Sequence, residues 1–221
     1  MGAGLRGYVL AGGRSSRMGV DKAELRVGGR SLLEVAIGTL RSFCAEVVVV
    51  GEREAVPAGV RVIADVHRGC GPLGGIEAGL RDAGEAAAVF LPVDMPFVPA
   101  ELLRRMVARW ESSGCAVCFA VVDGRTQPLV SLMRPSVLPE VEAALRRGEY
   151  KVGRVLEGAA GEALRTEIAT TAREGVWPVW VPGDAEWAER ELWFANLNTP
   201  EEFAAAGRWR GEWENGTSED A

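Results

Sequence analysis

Short runs of nearly unbroken apolar residues recur along the first half of the chain: GYVLA at 7–11, EVVVV at 46–50, VRVIA at 60–64 and AAVFLPV at 87–93. Apolar stretches of this length, bounded by polar or glycine-rich turns, are the pattern of strands buried on both faces. Between them the period changes. SLLEVAIGTLRSF (31–43) spaces its apolar residues helically, and Ser31 followed by Glu34 is a capping box. GGIEAGLRDA (74–83) and PAELLRRMVARWES (99–112) repeat the helical spacing, with Pro99 suited to a first helical turn. Strands alternating with helices in this way predict an α/β fold with a mostly parallel sheet.

Beyond Cys115 the pattern is different. CAVCFAVV (115–122), the polar turn Asp123-Gly124-Arg125-Thr126 and QPLVSLM (127–133) read as two strands joined by a turn, open to antiparallel pairing. Helices are expected near 135–147 and 151–165. A Trp-rich stretch around VWPVWV and ELWFANLN follows, then a short helix after Thr199-Pro200 and a polar tail, 207–221, expected to fray. No internal repeat or inert linker divides the chain. Residues 1–206 are read as one domain with a nucleotide-binding half of about 1–113 and an acceptor-binding half of about 114–206.

In an open parallel sheet, ligands sit beyond the carboxyl ends of the strands where the strand order reverses. Three features fall at that edge: LAGGRSSRMGVDKA (10–23) after the first strand, Asp65 at the end of VRVIAD leading into GCGPLGG, and Asp94 at the end of VFLPVD. The first gathers Arg14, Arg17 and Lys22 beside flexible backbone, which suits an anion, although solvated surface turns share this composition. Neither a GxxxxGK[ST] loop nor GxGxxG is present. Fixed cations of this kind suit a triphosphate whose charge must be held while a bond at phosphorus breaks. Asp94 fits a Mg2+ ligand, because Mg2+ in nucleotide sites takes one or two carboxylates plus phosphate oxygens and water. The competing reading is a helix-capping Asp.

Composition narrows the choice. With 221 residues, 48% of them hydrophobic, the chain can bury a substantial core. The net charge of -6 argues against a broad grip on nucleic acid. No apolar run approaches the roughly 20 residues of a membrane span, and Arg6 and Arg14 interrupt any signal-like core, so a cytoplasmic protein is expected. Cys115 and Cys118 have ligand-like spacing, but on a strand residues three apart face opposite sides, and they read as core cysteines.

LAGGRSSRMGVDKA, GPLGG (71–75), LPVDMPF (91–97) and NLNTPEEF (196–203), in that order and spacing, resemble the molybdenum cofactor guanylyltransferase family from Tyr8 to about Phe203. The resemblance implies a Rossmann-like three-layer α/β/α sandwich of the nucleotide-diphospho-sugar transferase type. It implies a reaction that joins GMP from GTP to the terminal phosphate of molybdenum-molybdopterin and releases pyrophosphate with Mg2+. By the same resemblance Leu10, Ala11, Gly12 and Gly13 form the nucleotide-contacting turn, Lys22 binds phosphate, Arg17 assists it, Asp65 contacts the nucleotide and Asp94 holds the metal. Gly71, Pro72 and Leu73 would lie against guanine, although these glycines equally suit the start of the following helix. The resemblance implies an Asn in the loop after the second strand, and Gly51 stands there in this chain.

The second half is expected to bind the pterin through Arg125, Gln127, Pro128, Lys151, Asn196 and Asn198, the last also suited to a turn and cap before Thr199-Pro200. The implied mechanism is in-line attack by an acceptor phosphate, already anionic at neutral pH, so the lone His67 need not act as a base. Molybdenum-insertion proteins or apo-molybdoenzymes are conceivable partners. A cytidylyltransferase on the same cofactor, a guanylyltransferase on another small phosphorylated acceptor, and a non-catalytic nucleotide-binding module are the alternatives. LAGG with GPLGG resembles the guanine-using branch, and the presence of Lys22 and Asp94 argues against the module.

Overall fold

The structure is a computed structural model that describes residues 4–12, 21–53, 56–122, 125–159, 193–195, 197 and 202, with backbone alone at 121, 122, 125 and 159. In chain order the strands are β1 (Leu5–Leu10), β2 (Arg26–Val27), β3 (Arg30–Ser31), β4 (Glu46–Val50), β5 (Arg61–Ile63), β6 (Ala87–Pro92), β7 (Val117–Val122) and β8 (Arg125–Met133). The helices are α1 (Leu32–Arg41), α2 (Pro72–Ala83), α3 (Ala100–Ser113), α4 (Leu138–Arg146) and α5 (Val152–Ala159). Six strands form one sheet in the order β5-β4-β1-β6-β8-β7. The first four are parallel, β8 runs against them, and the edge strand β7, antiparallel to β8, runs in their direction again.

The alternation of side chains along each strand builds the two outer layers. Val9, Val47, Val49, Val89 and Leu91 face α1 and α3, packing with Leu32, Ile37, Leu40, Leu103 and Met106. Tyr8, Leu10, Val48, Val50 and Phe90 face the other side, where α2, α4 and α5 contribute Leu73, Ile76, Leu80, Val141 and Leu156. The result is the expected three-layer sandwich. The Ser31 capping box is present, with Glu34 N–H donating to Ser31 Oγ at 3.1 Å and Ser31 N–H to Glu34 Oε2 at 2.7 Å. Cys118 is buried in the α1/α3 layer as a core cysteine should be, whereas Cys115 precedes β7 and is only partly buried. The β2–β3 hairpin went unpredicted, although Gly28 and Gly29, both at positive φ, carry the usual two-residue turn signal. Helix α2 starts two residues before the predicted boundary, and Pro99 is the N-cap of α3, not part of its first turn. The expected tail, the helix after Pro200 and most of the Trp-rich stretch lie outside the described residues.

A polar network at the amino-terminal edge of the parallel strands fixes the tilt of α2. Asp82, in the last turn of α2, accepts from Tyr8 Oη at 2.9 Å and from both Nη atoms of Arg61 at 2.9 and 3.0 Å. Arg6 donates to the Asp82 carbonyl at 2.5 Å and pairs with Glu46, which also takes Arg61. With its carboxyl end tied there, α2 presents its amino end at the opposite edge of the sheet. Burial pushes the Asp82 carboxyl up, but the bonds from Arg61 and Tyr8 and the charges of Arg61 and Arg6 outweigh it and hold it below the usual range. A depressed carboxylate contributes stability above its ordinary pKa and loses it as pH falls through the folded value. Asp82→Asn should therefore cost about 1–3 kcal/mol at pH 7 and flatten the loss of thermal stability between about pH 5 and pH 2. Thermal unfolding across that range is the check, and a parallel acid profile in the variant contradicts the assignment.

Candidate active site

The chain runs from β1 outward through β4 to β5, then crosses over α2 to β6 on the far side of β1. The strand order reverses between β1 and β6, and the crevice opens beyond their carboxyl ends. Two loops meet tightly there. Ala11 N–H donates to the Val50 carbonyl at 2.9 Å, and Gly51 N–H to the Ile63 carbonyl at 2.9 Å, extending the ladder one residue past each strand. Gly51 has a φ of 133°, and a Cβ on it would lie 2.9 Å from Gly12 N and 3.0 Å from Gly12 Cα. No asparagine could occupy position 51 without moving this turn.

Asp65 leaves β5 and turns its carboxylate into the gap between Gly12 and Gly75: Oδ2 lies 3.7 Å from where a Gly12 Cβ would be, and Oδ1 3.5 Å from that of Gly75. Oδ1 is buried with no hydrogen-bond partner among the described residues. Burial, and secondarily the charge of Glu52, raise its pKa above the usual carboxylate value. Gly71, at φ 61°, precedes Pro72 at the start of α2 and supplies no side-chain cap, so the backbone N–H groups of the first turn are left to other acceptors. GPLGG is thus a helix start and also lies beside Asp65. Leu10, Ala11, Gly12 and Asp65 therefore gather at one edge with Gly75 of GPLGG, where Gly71 and Pro72 are exposed at the start of α2 and the Leu73 side chain is buried in the core beneath.

Lys22 occupies a single 3-10 turn (Lys22–Glu24) that Asp21 caps by accepting from Ala23 N–H at 3.0 Å. Its Nζ lies 3.7 Å from Asp94 Oδ2 across the crevice. Burial raises the Asp94 carboxyl, and the nearby Lys22 charge, the Asp94 backbone N–H and a bond from Lys22 offset only part of that. The capping alternative for Asp94 fails, because α3 begins six residues later, at Ala100, with Pro99 as its N-cap. At an effective dielectric of about 20 the pair has roughly 4 kcal/mol of gross attraction, opposed by several kcal/mol of desolvation. Such a pair exchanges readily for a ligand that offers each member a better partner. Among the described residues no group of three or more His, Cys, Asp and Glu could hold a metal. A single half-buried carboxylate such as Asp94 suits a cation that draws its other oxygens from phosphates and water.

The acceptor candidates fall at the same edge where they are described. The register pairing Phe90 with Ser131 runs β8 antiparallel to β6, so Arg125, Gln127 and Pro128 belong to the end of β8 beside Asp94. Pro128 packs near Gly153 of α5, directly after the exposed Lys151. Asn196 and Asn198 lie outside the described residues, as do Gly13 and Arg17. Leu197, between the two asparagines, is buried, and its N–H donates to the Asp94 carbonyl at 3.0 Å. The single His67 bonds through Nδ1 to buried Glu77 at 2.5 Å, on the α2 face. Sequence reasoning missed Arg53, which donates to the Ala11 carbonyl and pairs with Asp21. Its only sequence signal is its position just after Gly51 at the sheet edge.

The model of the MobA-like NTP transferase domain family matches residues 7–187. A protein of Chloroflexus aggregans named as a probable molybdenum cofactor guanylyltransferase is 36% identical over 90% of this chain and 91% of its own length. A molybdenum cofactor guanylyltransferase of Rhizobium leguminosarum bv. trifolii is 34% identical over 93% and 92%. The crystal structure of molybdopterin-guanine dinucleotide biosynthesis protein A from Archaeoglobus fulgidus has the same fold, with a TM-score of 0.70 at 24% identity over 94% of this chain and 99% of that one.

The contact between Gly51 and Gly12 yields a test with an internal control. Gly59 is also at positive φ (75°), but a Cβ there would meet nothing within 4 Å. Each Gly→Ala change pays left-handed strain of about 1 kcal/mol, and Gly51→Ala must in addition displace the Ala11–Gly12 turn. Its melting temperature should fall clearly further than that of Gly59→Ala. Equal losses contradict the close approach.

Proposed function

The chain belongs to the MobA-like NTP transferase family, and from that premise we propose that it transfers GMP from GTP to the terminal phosphate of molybdenum-molybdopterin, releasing pyrophosphate. The observation that carries this reading is the Lys22–Asp94 pair spanning the β1/β6 crevice, flanked by the glycine turn and by Asp65. In this reading Leu10 to Gly13 hold the nucleotide through backbone, and Lys22 and Arg17 take its phosphates. Asp65 with Gly71, Pro72 and Leu73 receives the guanosine. Arg125, Gln127, Pro128, Lys151, Asn196 and Asn198 receive the pterin. The enzyme works in the cytosol, where GTP is available.

Asp94, with phosphate oxygens and water, would hold the Mg2+. When bound, that ion would supply charge neutralisation at the reacting phosphates. An oxygen of the acceptor phosphate forms a bond to the α-phosphorus of GTP, and the bond to the bridging oxygen breaks as pyrophosphate leaves. The acceptor oxygen is already ionised, so no side chain has to remove a proton. Consistent with this, His67 is tied to Glu77 and is not needed at the reacting centre. The chain accelerates the step by alignment and by preplaced charge: Lys22 exchanges Asp94 for a phosphate oxygen as the nucleotide enters.

The test is pyrophosphate release with each of the four nucleoside triphosphates, with and without molybdopterin. GTP with the pterin should exceed the others by at least about tenfold, a difference of 1.4 kcal/mol, whereas equal use of CTP overturns the base assignment. Two variants separate binding from turnover. Lys22→Ala loses a charge-assisted bond of about 1.5–3 kcal/mol, so GTP affinity should fall roughly 10- to 150-fold in a protein that stays folded. Asp94→Asn keeps the shape and removes the ligand charge. It should bind GTP much as the parent does while turnover collapses, and near-normal turnover with an unshifted Mg2+ requirement excludes the metal role.

A further inference from the structure

Among the described residues, Arg53 is a largely buried cation whose partners bracket the basic segment on both sides. Its side chain is 9% exposed. One Nη donates to the carbonyl of Ala11, at the exit of β1, and the other pairs with Asp21, just before the turn that carries Lys22. Nine residues of chain lie between those two points, but the guanidinium spans them directly. Asp21 in turn caps the Lys22–Glu24 turn through Ala23 N–H. A continuous set of contacts therefore runs from Arg53 through Asp21 to Lys22 and across the crevice to Asp94.

The energetics make a purely stabilising role a poor explanation. Burial disfavours the charged form of Arg53 and lowers its pKa. Its Nε is also buried with no partner among the described residues. A buried pair with an orphaned donor contributes little stability beyond what an apolar side chain of equal volume would supply. What an apolar side chain could not do is donate in two directions from one rigid plane.

We infer that Arg53 is a positioning residue: a clasp that holds the two ends of the 12–21 segment together and so sets where Lys22 stands for the nucleotide phosphates. In this assignment Arg53 acts through its two contacts among the described residues, Ala11 and Asp21. The clasp itself rests on the geometry above, and only its consequence for affinity rests on the GTP reading.

The experiment uses the full-length chain as wild type, Arg53→Met, Arg53→Lys, Asp21→Ala and the Arg53→Met/Asp21→Ala double variant. The first readout needs no nucleotide: hydrogen exchange of the Ala11, Glu24 and Leu25 amides, which bond to Val50, Asp21 and Lys22 carbonyls on either side of the clasp, in the ligand-free protein. Exchange there should speed up at least about fivefold in each single variant with little further change in the double, as expected when both changes break one contact. Arg53→Lys keeps the buried charge and should keep the fold, but its compact ammonium lacks the planar fork that reaches Ala11 and Asp21 at once, so it too should lose protection at these amides. Wild-type exchange in folded Arg53→Met or in Arg53→Lys overturns the clasp. The second readout is GTP affinity by calorimetry, expected to weaken roughly tenfold in Arg53→Met with melting temperature changed by only a few degrees. Faster exchange with unchanged GTP affinity overturns the link to the phosphates. A wild-type chain that fails to bind GTP, with the exchange pattern as expected, upholds the clasp and refutes the proposed function instead.

Discussion

Everything at the site depends on the reversal of strand order between β1 and β6. Each parallel strand sends its exit loop to the same edge, and at that reversal adjacent exit loops turn apart and leave a gap in the middle of the sheet. The glycine turn after β1 and Asp94 after β6 are neighbours for that reason alone, although more than 80 residues separate them in sequence. Val93 N–H still donates to the Leu10 carbonyl at 3.1 Å, so the two exits are held in register to the point where the crevice begins. The opposite edge matters as much. The network of Tyr8, Arg6 and Arg61 on Asp82 fixes the carboxyl end of α2, and the uncapped amino end consequently faces the crevice.

The site keeps charge in reserve. Asp94 and Asp65 are carboxylates that burial pushes toward the neutral form, and Asp65 Oδ1 has no partner among the described residues. Buried polar atoms are nearly always bonded in folded proteins, and in the proposed reading the guanosine brings a donor to this oxygen, placed between Gly12 and Gly75. Lys22 and Asp94 neutralise each other meanwhile, at a distance long enough that the pair is not a tight structural bridge. This is electrostatic preorganisation of the kind that phosphoryl transfer requires: opposite charges fixed in place before the nucleotide enters.

Most of the parallel half was legible in the sequence because its strands are buried on both faces and its helices carry conventional signals. EVVVV and AAVFLPV can be little else, and Ser31 with Glu34 announces α1. The misses have local causes. The β2–β3 hairpin is two residues per strand, too short for alternation to show, and its Gly28-Gly29 turn was hidden by the neighbouring basic residues. The start of α2 was placed late because Gly71 and Pro72 read as a loop until the packing of Leu73 in the core is seen. At the site, Lys22 and Asp94 stood out by motif and strand position, but their pairing could not be foreseen from spacing. Arg53 was invisible for a different reason. Its meaning comes from touching two points ten residues apart, and a single arginine in a short loop otherwise reads as a solvated charge.

The central claim is that a triphosphate lies in the β1/β6 crevice and takes Lys22 from Asp94. The most direct measurement is a crystal structure of the chain with a non-hydrolysable GTP analogue and Mg2+. The account requires phosphate oxygens within about 3 Å of Lys22 Nζ, backbone N–H groups of the glycine turn pointing at them, and Lys22 and Asp94 drawn apart. An analogue bound elsewhere, or bound in the crevice with the Lys22–Asp94 pair intact, contradicts it.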